Sequence, residues 1–398
     1  MSESPRRVLI IGNLDNRRVT GFCAALARGG WPAPLLLDHG ELLREPEALA
    51  PTLARRFGEV ADADEPLWVR IDSAGESPVV ERALLRLGWE PARVHPEIER
   101  LDPEAIDALP QRFGQILAPR QHHLGFERYL DALEAALATR PRWQLLTPIA
   151  DIRLLFDKRL LSRRYAAAGI PVPPPLPGMD DVREPEALRA AMAAARWPAA
   201  FVKLSSGSSA SCLGLYRFAP GRPAGRRQML LTTIASTREG RFNSLRLQQL
   251  ERDADVDAVL GWLLREGAQI ERALPKARLD GRNFDMRVLV IDGEVGFCVV
   301  RSSRHPITNL HLGGARGDLE AVRAAMAPED WDAAMASCRR AHAQHGCLHL
   351  GVDLLIEQDW SGHRIIEANA FGDLLPGLER DGLDVYGWEL ARLKARGL

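Results

Sequence analysis

The sequence predicts an α/β protein, with a parallel α/β domain at its N-terminus and α+β character further along. Three observations predict it. The chain opens on a strand–helix–strand alternation, its second half carries paired strand-like runs around tight turns, and helical periodicities of 10 to 20 residues separate the two regimes. In order, Arg7 to Ile11 is a β-branched run ending at Gly12-Asn13, VTGFCAALARGGW has apolar helix spacing, and PAPLLLD supplies a second strand. LWVRIDS (67–73) and the helical VVERALLRLGW continue the alternation, so residues 1–115 form the expected parallel domain. Gly12 lacks the companion glycines of a dinucleotide fingerprint, which argues against NAD.

Residues 116–198 form a central helical and linking region. Gly125 to Ala138 is an amphipathic helix, and IRLLFDKRLLSRRYAAAGI is expected as one further helix, ended by Gly169 and the Pro171–Pro175 stretch. AAFVKLSS is a strand, Ser205 to Gly214 a Ser/Gly-rich loop, and LGLYRF its hairpin partner. AQIERAL is a short strand closing a segment at 199–274. From 275 to 398, FDMRVLVIDGEVGFCVVRSS is a strand pair about Asp292-Gly293, Glu329 to Gln344 is a helix, and LGVDLLIEQ and HRIIEANAFG flank a polar break at Asp359–Gly362.

That last pair carries the sharpest chemical signal. Asp353, Glu367 and Asn369 are oxygen-bearing side chains set in apolar strand runs, where something must compensate their charge. Magnesium suits them, since it takes a few hard protein oxygens and leaves its other positions to water and phosphates. Alternation places Glu367 and Asn369 on one face, and Asp353 joins that face only if the hairpin loop has an odd length, about three or five residues. The alternative is a solvated hairpin edge. Lys203 ends its strand beside Ser205, Ser206, Gly207 and Ser208, a run of small residues able to lay N–H groups around an anion; a plain hairpin turn is the alternative. Lys158 lies in the expected helix, where a lone lysine is ordinarily a solvated face.

Composition narrows the rest. With 398 residues there is room for two or three domains, and 52 basic against 53 acidic residues give a net charge of −1. No charge bias points to nucleic acid or a membrane surface. The five cysteines are scattered without a CxxC pair, and no run of about 18 apolar residues occurs, so a soluble cytoplasmic protein is expected. A homodimer is the default oligomer. His342, His345, Cys347 and His349 have spacings that could be mistaken for zinc ligands, but they straddle a helix end and a strand start. Alternation sets His349 on the face of Gly351 and Asp353. Arg70, Asp72 and Ser73, at the carboxyl end of a strand, are candidates for ligand contact in the parallel domain.

Taken in order, Lys158 before GIPVP, Lys203 before its loop, Ile270–Leu274, Asp285-x-Arg287, Arg301, Asn309-x-His311-x-Gly313-Gly314, Gly351-Val352-Asp353 and Glu367-x-Asn369 resemble the ATP-grasp superfamily. The similarity is nearest to its glutathione-synthetase-like and peptide-tail glutamate ligase branch, over roughly residues 149–377. The resemblance implies a two-lobed grasp fold behind the N-terminal domain, with residues 199–274 as lid lobe and 275–398 as metal-bearing lobe. It implies ATP and Mg2+, or Mn2+ in its place, as cofactors. Lys158 and Lys203 would hold the α- and β-phosphates. Gln269, Ile270, Glu271 and Leu274 would form the adenine-reading hinge, and Asp353, Glu367 and Asn369 would bind the metal. Arg287 and Arg301, with Asn309 beside them, would offset charge on the transferred phosphoryl group.

The implied activity is ligation of a small-molecule or peptide carboxylate to an amine, or a thiol, through an acyl phosphate. A small-molecule kinase and a non-catalytic ATP-binding regulator are the alternatives. Two segments depart from the family pattern, SSGSSASCLG and the AFGDLLPG that follows Asn369, and the second alters the wall of the acceptor site.

Overall fold

A computed structural model describes residues 6–62, 64–110, 112–207, 211–221, 227–372 and 375–396, with His311 described in its backbone only. Its strands, in chain order, are β1 (Arg7–Gly12), β2 (Leu35–Asp38), β3 (Leu67–Ile71), β4 (Gln115–Ile116), β5 (Gln144–Leu145), β6 (Ala199–Leu204), β7 (Leu213–Phe218) and β8 (Gln228–Thr237). There follow β9 (Gly240–Leu250), β10 (Ala268–Arg272), β11 (Arg278–Leu279), β12 (Arg282–Ile291), β13 (Glu294–Ser303), β14 (Ala315–Arg316), β15 (His349–Ile356) and β16 (His363–Asn369).

The first sheet is parallel, in the order β2-β1-β3-β5. The crossover helix Arg17–Arg28 starts where the Asn16 side chain accepts a hydrogen bond from the Arg18 N–H at 2.9 Å, which satisfies one of the helix's free donors. The fourth strand comes from residues 144–145, past the boundary expected near 115. It is delivered by the helix Pro119–Ala138, whose Tyr129, Leu130 and Leu133 pack with Leu53, Phe57 and Leu84. This helix crosses Pro78–Leu87 so closely that a Cβ on Gly125 would stand 1.8 Å from the Leu84 carbonyl oxygen. Only glycine fits there.

The second sheet is antiparallel, in the order β10-β6-β7-β8-β9-β4. Alternation splits it: Val202, Tyr216, Leu230 and Ile270 pack on the helices Pro185–Ala194 and Asp253–Arg265, while Phe201, Lys203, Leu213 and Glu271 face the other way. At the end of the second helix, buried Glu266 accepts hydrogen bonds from the N–H groups of Glu99 (2.6 Å) and Arg120 (3.1 Å), which ties this lobe to the rest of the molecule. The third sheet runs β14-β13-β12-β15-β16, with β11 paired to β12. Its central hairpin turns at Asp292-Gly293, both at positive φ (51° and 78°), the geometry such a two-residue turn demands. The helix Pro328–His342 covers one face through Ala334, Met335, Cys338 and Ala341.

The segment read as one helix is two. Ile149–Leu155 ends at Phe156, and Lys158–Ala167 begins after Asp157, whose carboxylate accepts from the N–H groups of Arg159 (2.9 Å) and Leu160 (3.1 Å). An aspartate that can cap competes with helix continuation, and here the cap wins. Lys158 is therefore the first residue of a helix, not part of a solvated mid-helix face. Among the described residues no helix is long and apolar enough to cross a membrane.

Candidate active site

The second and third sheets face each other across a cleft that is open at its mouth. Phe201, Leu213, Leu274, Ile307, Leu355 and Ile366 give it apolar walls, and Lys158, Lys203, Glu271, Lys276, Asp285 and Glu367 bring charge to it. A flat apolar slot with converging charge suits a heteroaromatic ring bearing anions.

Asp353 and Glu367 reach one face by a route that spacing alone does not give. The connection between β15 and β16, residues 357–362, has six residues, an even length, so the expected odd loop is not what aligns them. A bulge does so instead. From the tip inward the pairs are Ile356–His363, Leu355–Arg364 and Leu354–Ile365, and then Asp353 pairs with Glu367, leaving Ile366 as the extra residue. An extra residue flips the alternation once, which brings the two acids opposite each other. Gly351 pairs with Asn369 on the same register, and the Asn369 amide lies 3.4 Å from the Gly351 carbonyl.

The neighbouring pairs complete the charge balance. Arg287 is the cross-strand partner of Asp353, and Asp285 that of Arg301. Arg287 Nε is 2.9 Å from Asp353 Oδ1, and Arg301 bridges Asp353 (3.1 Å) and Asp285 (2.7 Å). Burial pushes the Asp353 carboxyl up, the two arginines pull against it, and the negative charge of Glu367 adds to the rise. Glu367 goes the other way: burial opposes its ionisation, but Lys158, Lys203 and Arg287 together hold its carboxyl below the ordinary range. Asp353 Oδ1 and Arg287 Nε, though close, lack hydrogen-bond alignment. A carboxylate oxygen held near a cation without a directed bond can accept a metal ion at little loss. With the Glu367 carboxylate and the Asn369 amide it forms a hard-oxygen set of the kind Mg2+ selects.

The lysines arrive from two sides. Lys158 Nζ is 3.2 Å from Glu367 Oε1 and donates to the Gly207 carbonyl. Lys203 Nζ is 2.8 Å from Glu271 Oε1 and 3.2 Å from the Ile366 carbonyl. Lys203, Gln269 and Glu271 share a face because Gln269 pairs with Lys203 and Glu271 with Phe201 in the β10–β6 ladder. Gln269 is 1 % exposed, and neither end of its amide has a hydrogen-bond partner among the described residues. Ile270 instead points into the core, its carbonyl accepting from the Leu176 N–H at 2.9 Å.

The Ser/Gly loop differs from the expected anion cradle. The Ser205 hydroxyl donates to Asp157 at 2.9 Å, Ser206 is half-buried, and Gly207 offers Lys158 a carbonyl rather than an N–H. Ser208 lies outside the described residues. Asn309 sits in the turn before Gly313, its carbonyl accepting from the N–H groups of Leu312 and Gly314. It is Thr308, its neighbour, whose side chain lines the cleft.

Sequence reasoning missed the group around Thr308. Lys276 Nζ is 3.1 Å from Asp285 Oδ2 and 2.5 Å from the Thr308 hydroxyl, which itself donates to Asp285. Lys276 follows β10 by four residues in a proline-containing loop, where periodicity carries no signal. Only the resemblance, extended past Leu274, could have found it.

The zinc alternative is not assembled. His342 Nε2 is 3.3 Å from the Leu348 carbonyl, His345 lies between Asp151 and Tyr165, and His349 turns to Glu389. No group of three His, Cys, Asp or Glu able to hold a metal occurs among the described residues. Arg70 and Asp72, expected as ligand contacts, are each 2 % exposed. Arg70 binds Glu389 at 2.7 Å and Asp72 at 3.3 Å inside the junction between the first and third sheets. A strand's carboxyl end faces ligand only where nothing covers it, and here the helix Val385–Ala395 does.

No protein-family model and no curated protein matches the sequence. Solved structures do match. The ATP-grasp ligase PsnB, in complex with a phosphomimetic variant of its minimal precursor, Mg and ADP, is 16 % identical at a TM-score of 0.52, over 99 % of each chain. D-cycloserine synthetase DcsG is 16 % identical at 0.52, over 98 % of this chain and 100 % of its own. The macrocyclase MdnC of Microcystis aeruginosa MRC, bound with the precursor peptide MdnA, is 13 % identical at 0.50, over 98 % of this chain and 100 % of its own. These matches run over nearly the whole length of each chain: the chain has the ATP-grasp fold.

Proposed function

We propose that this protein is an ATP-dependent ligase that activates a carboxylate as its acyl phosphate and passes the acyl group to an amine. The observation that carries the reading is the convergence of Lys158, Lys203, Arg287 and Arg301 on Asp353 and Glu367 at one end of an apolar slot. In this reading the base lies between Phe201, Leu213, Leu274 and Leu355, with the idle Gln269 amide free to pair with a donor and an acceptor on the adenine edge. Lys158 and Lys203 exchange their carboxylate partners for phosphate oxygens. Asp353, Glu367 and Asn369 fit Mg2+, which when bound supplies neutralisation of phosphate charge.

Arg287 and Arg301 steady the substrate carboxylate and the phosphoryl group. A carboxylate oxygen attacks the γ-phosphorus, the bond to the β-phosphate oxygen breaks, and ADP leaves with the electron pair. The amine nitrogen then attacks the acyl carbon and inorganic phosphate departs. A thiol would react in the same way. The precursor peptides bound by PsnB and MdnC support a peptide carboxylate as substrate, and DcsG a small one. All five cysteines are unpaired, which supports a cytoplasmic setting.

The test is ADP release from Mg-ATP over a panel of amino acids, dicarboxylates and Asp- or Glu-containing peptides, with hydroxylamine to trap acyl phosphate as hydroxamate. Carboxylate-dependent ADP release and hydroxamate are expected, and Glu367→Gln should lower both by at least about 100-fold. A stable phosphorylated product without hydroxamate would replace the ligase by a kinase. No calorimetric uptake of Mg-ATP would end the reading.

A further inference from the structure

Two buried cores divide the molecule at the cleft. Leu9 and Ile11 of the first sheet share one core with Val288 and Val352 of the third, so those two sheets form a single block. The second sheet has a core of its own around Val202, Tyr216 and Leu260. The chain passes between block and lobe at residues 170–176 and 272–277. Both passages lie beside β10, where the Leu176 N–H donates to the Ile270 carbonyl and the Arg272 N–H to the Pro174 carbonyl, each at 2.9 Å. A lobe that swings on those passages to admit a ligand carries its far edge, β9, the greatest distance.

β9 is not left free to swing. Residues 99–110 and 112–120 form a strap from the block, and its inner side is fixed. The Gln121 side chain donates to the carbonyls of Leu85 (2.8 Å) and Leu101 (2.9 Å) and accepts from the Leu101 N–H (2.8 Å), over a small core of Leu85, Ile106 and Ala118. The outer side is fixed to the lobe. Gln115 and Ile116 pair with Phe242 and Arg241 of β9. The Glu99 carboxylate accepts from the Trp262 indole N–H (3.0 Å) and from Arg241 (3.2 Å), whose guanidinium carbon stands 4.8 Å over the Trp262 ring. Glu266 completes the seam by accepting from the Glu99 and Arg120 N–H groups. The second of these bonds caps the helix Pro119–Ala138, whose preceding residue, Ala118 at φ 34°, has no side chain to do so.

We propose that this seam is a latch that holds the second-sheet lobe shut, and that its parting at Glu99 and Glu266 governs nucleotide release, an inference that rests on the nucleotide-binding part of the reading above. The lobe is shut in this structure. Lys158 reaches the Gly207 carbonyl and Lys203 the Ile366 carbonyl across the charged end of the cleft, and the seam is intact. Opening exposes Glu266 to water, which makes the latch sensitive to protons. Glu99 on the strap, Arg241 on β9 and Cys212 ahead of β7 are the titratable groups that face it. Burial, with the charge of Glu99, pushes the Glu266 carboxyl up to about 7 against the pull of the two N–H groups and Arg241, whereas in water it returns to an ordinary value near ~4.3. The shut lobe therefore holds this proton more tightly than the open one. Its advantage is complete below the ordinary value and is lost as pH rises towards 7.

The experiment follows the release of a fluorescent analogue, mant-ADP with Mg2+, chased by excess ATP in stopped flow, from wild type, Glu99→Ala and Glu266→Gln. Glu99→Ala removes the bonds to Arg241 and Trp262 at a half-buried site and should release the analogue about tenfold faster. The amplitude of its fluorescence change shows that it is folded. Wild type should release about tenfold faster at pH 8 than at pH 6, and Glu266→Gln should lose that dependence, an effect that a merely structural role would not produce. Should Glu99→Ala bind no analogue, the pH profiles of wild type and Glu266→Gln decide alone. Release from Glu99→Ala at the wild-type rate or slower, or equal pH dependence in wild type and Glu266→Gln, would overturn the latch. A wild type that takes up no mant-ADP would instead remove the nucleotide reading, and this inference with it.

Discussion

Two buried clusters of arginine and carboxylate lie on the same face of the third sheet, and they are built differently. In the junction, Arg70 and Glu389 are each 2 % exposed, joined by a directed bond of 2.7 Å, and Arg70 is packed over two aromatic rings. In the cleft, Arg287 and Asp353 are 2.9 Å apart without hydrogen-bond alignment, and Glu367 is half-buried. A directed and packed ion pair holds one arrangement, whereas a pair without a directed bond stays costly until something else joins it. The junction is a fixed strut. The cleft holds its charges in mutual compensation that an anion and a cation can replace.

The difference can be broken by substitution. Asp353→Asn should cost at least about 100-fold in ADP release. Its stability should be unchanged or higher, because burial already penalises the ionised form of Asp353. Activity assays alongside urea unfolding check both, and a large loss of stability would make the two clusters alike. Arg70→Met should do the reverse. It strands Glu389 and Asp72, and urea unfolding should show a loss of about 3–5 kcal/mol, while Mg-ATP affinity of the folded protein stays within a factor of two or so of wild type.

Acid sharpens the same contrast with smaller effects. The folded Glu389 carboxyl is at about 2, below the ordinary value near ~4.3. Its contribution to stability is therefore complete above that ordinary value and is lost as pH falls from about 4 towards 2. Glu266 has the opposite sign. Burial pushes its carboxyl up to about 7 despite the two N–H groups it accepts, so the folded state holds its proton more tightly than the unfolded chain. Stability from this group is present below the ordinary value and is lost as pH rises towards 7. Unfolding titrations of wild type and Glu266→Gln at pH 5 and pH 8 should show the decline in the first and its absence in the second.

Much of the architecture was legible because local and tertiary preferences agree. The βαβ opening, the Asp292-Gly293 hairpin and the sharing of one face by Glu367 and Asn369 all follow from alternation and turn chemistry. What escaped depends on contacts that no local pattern encodes. Asp157 stops one helix and starts another because its carboxylate finds two N–H groups, which the surrounding helix formers hide. Arg70 reads as a ligand contact until the C-terminal helix, more than 300 residues later in the chain, is laid over it. Lys276 and Thr308 lie in irregular segments far apart in the chain, and only the fold brings them to each other and to Asp285.

Ile366 has a consequence for how such hairpins vary. Because one surplus residue separates the tip of β15–β16 from its acidic end, the two halves of the hairpin run in opposite phase. A tip that gained or lost residues would leave Asp353 and Glu367 facing each other, and deletion of Ile366 alone would restore a regular ladder in which Asp353 still pairs with Glu367. The parity of the spacing between the two acids therefore carries no information about whether they can meet, and the surplus residue itself, Ile366, serves as one wall of the cleft.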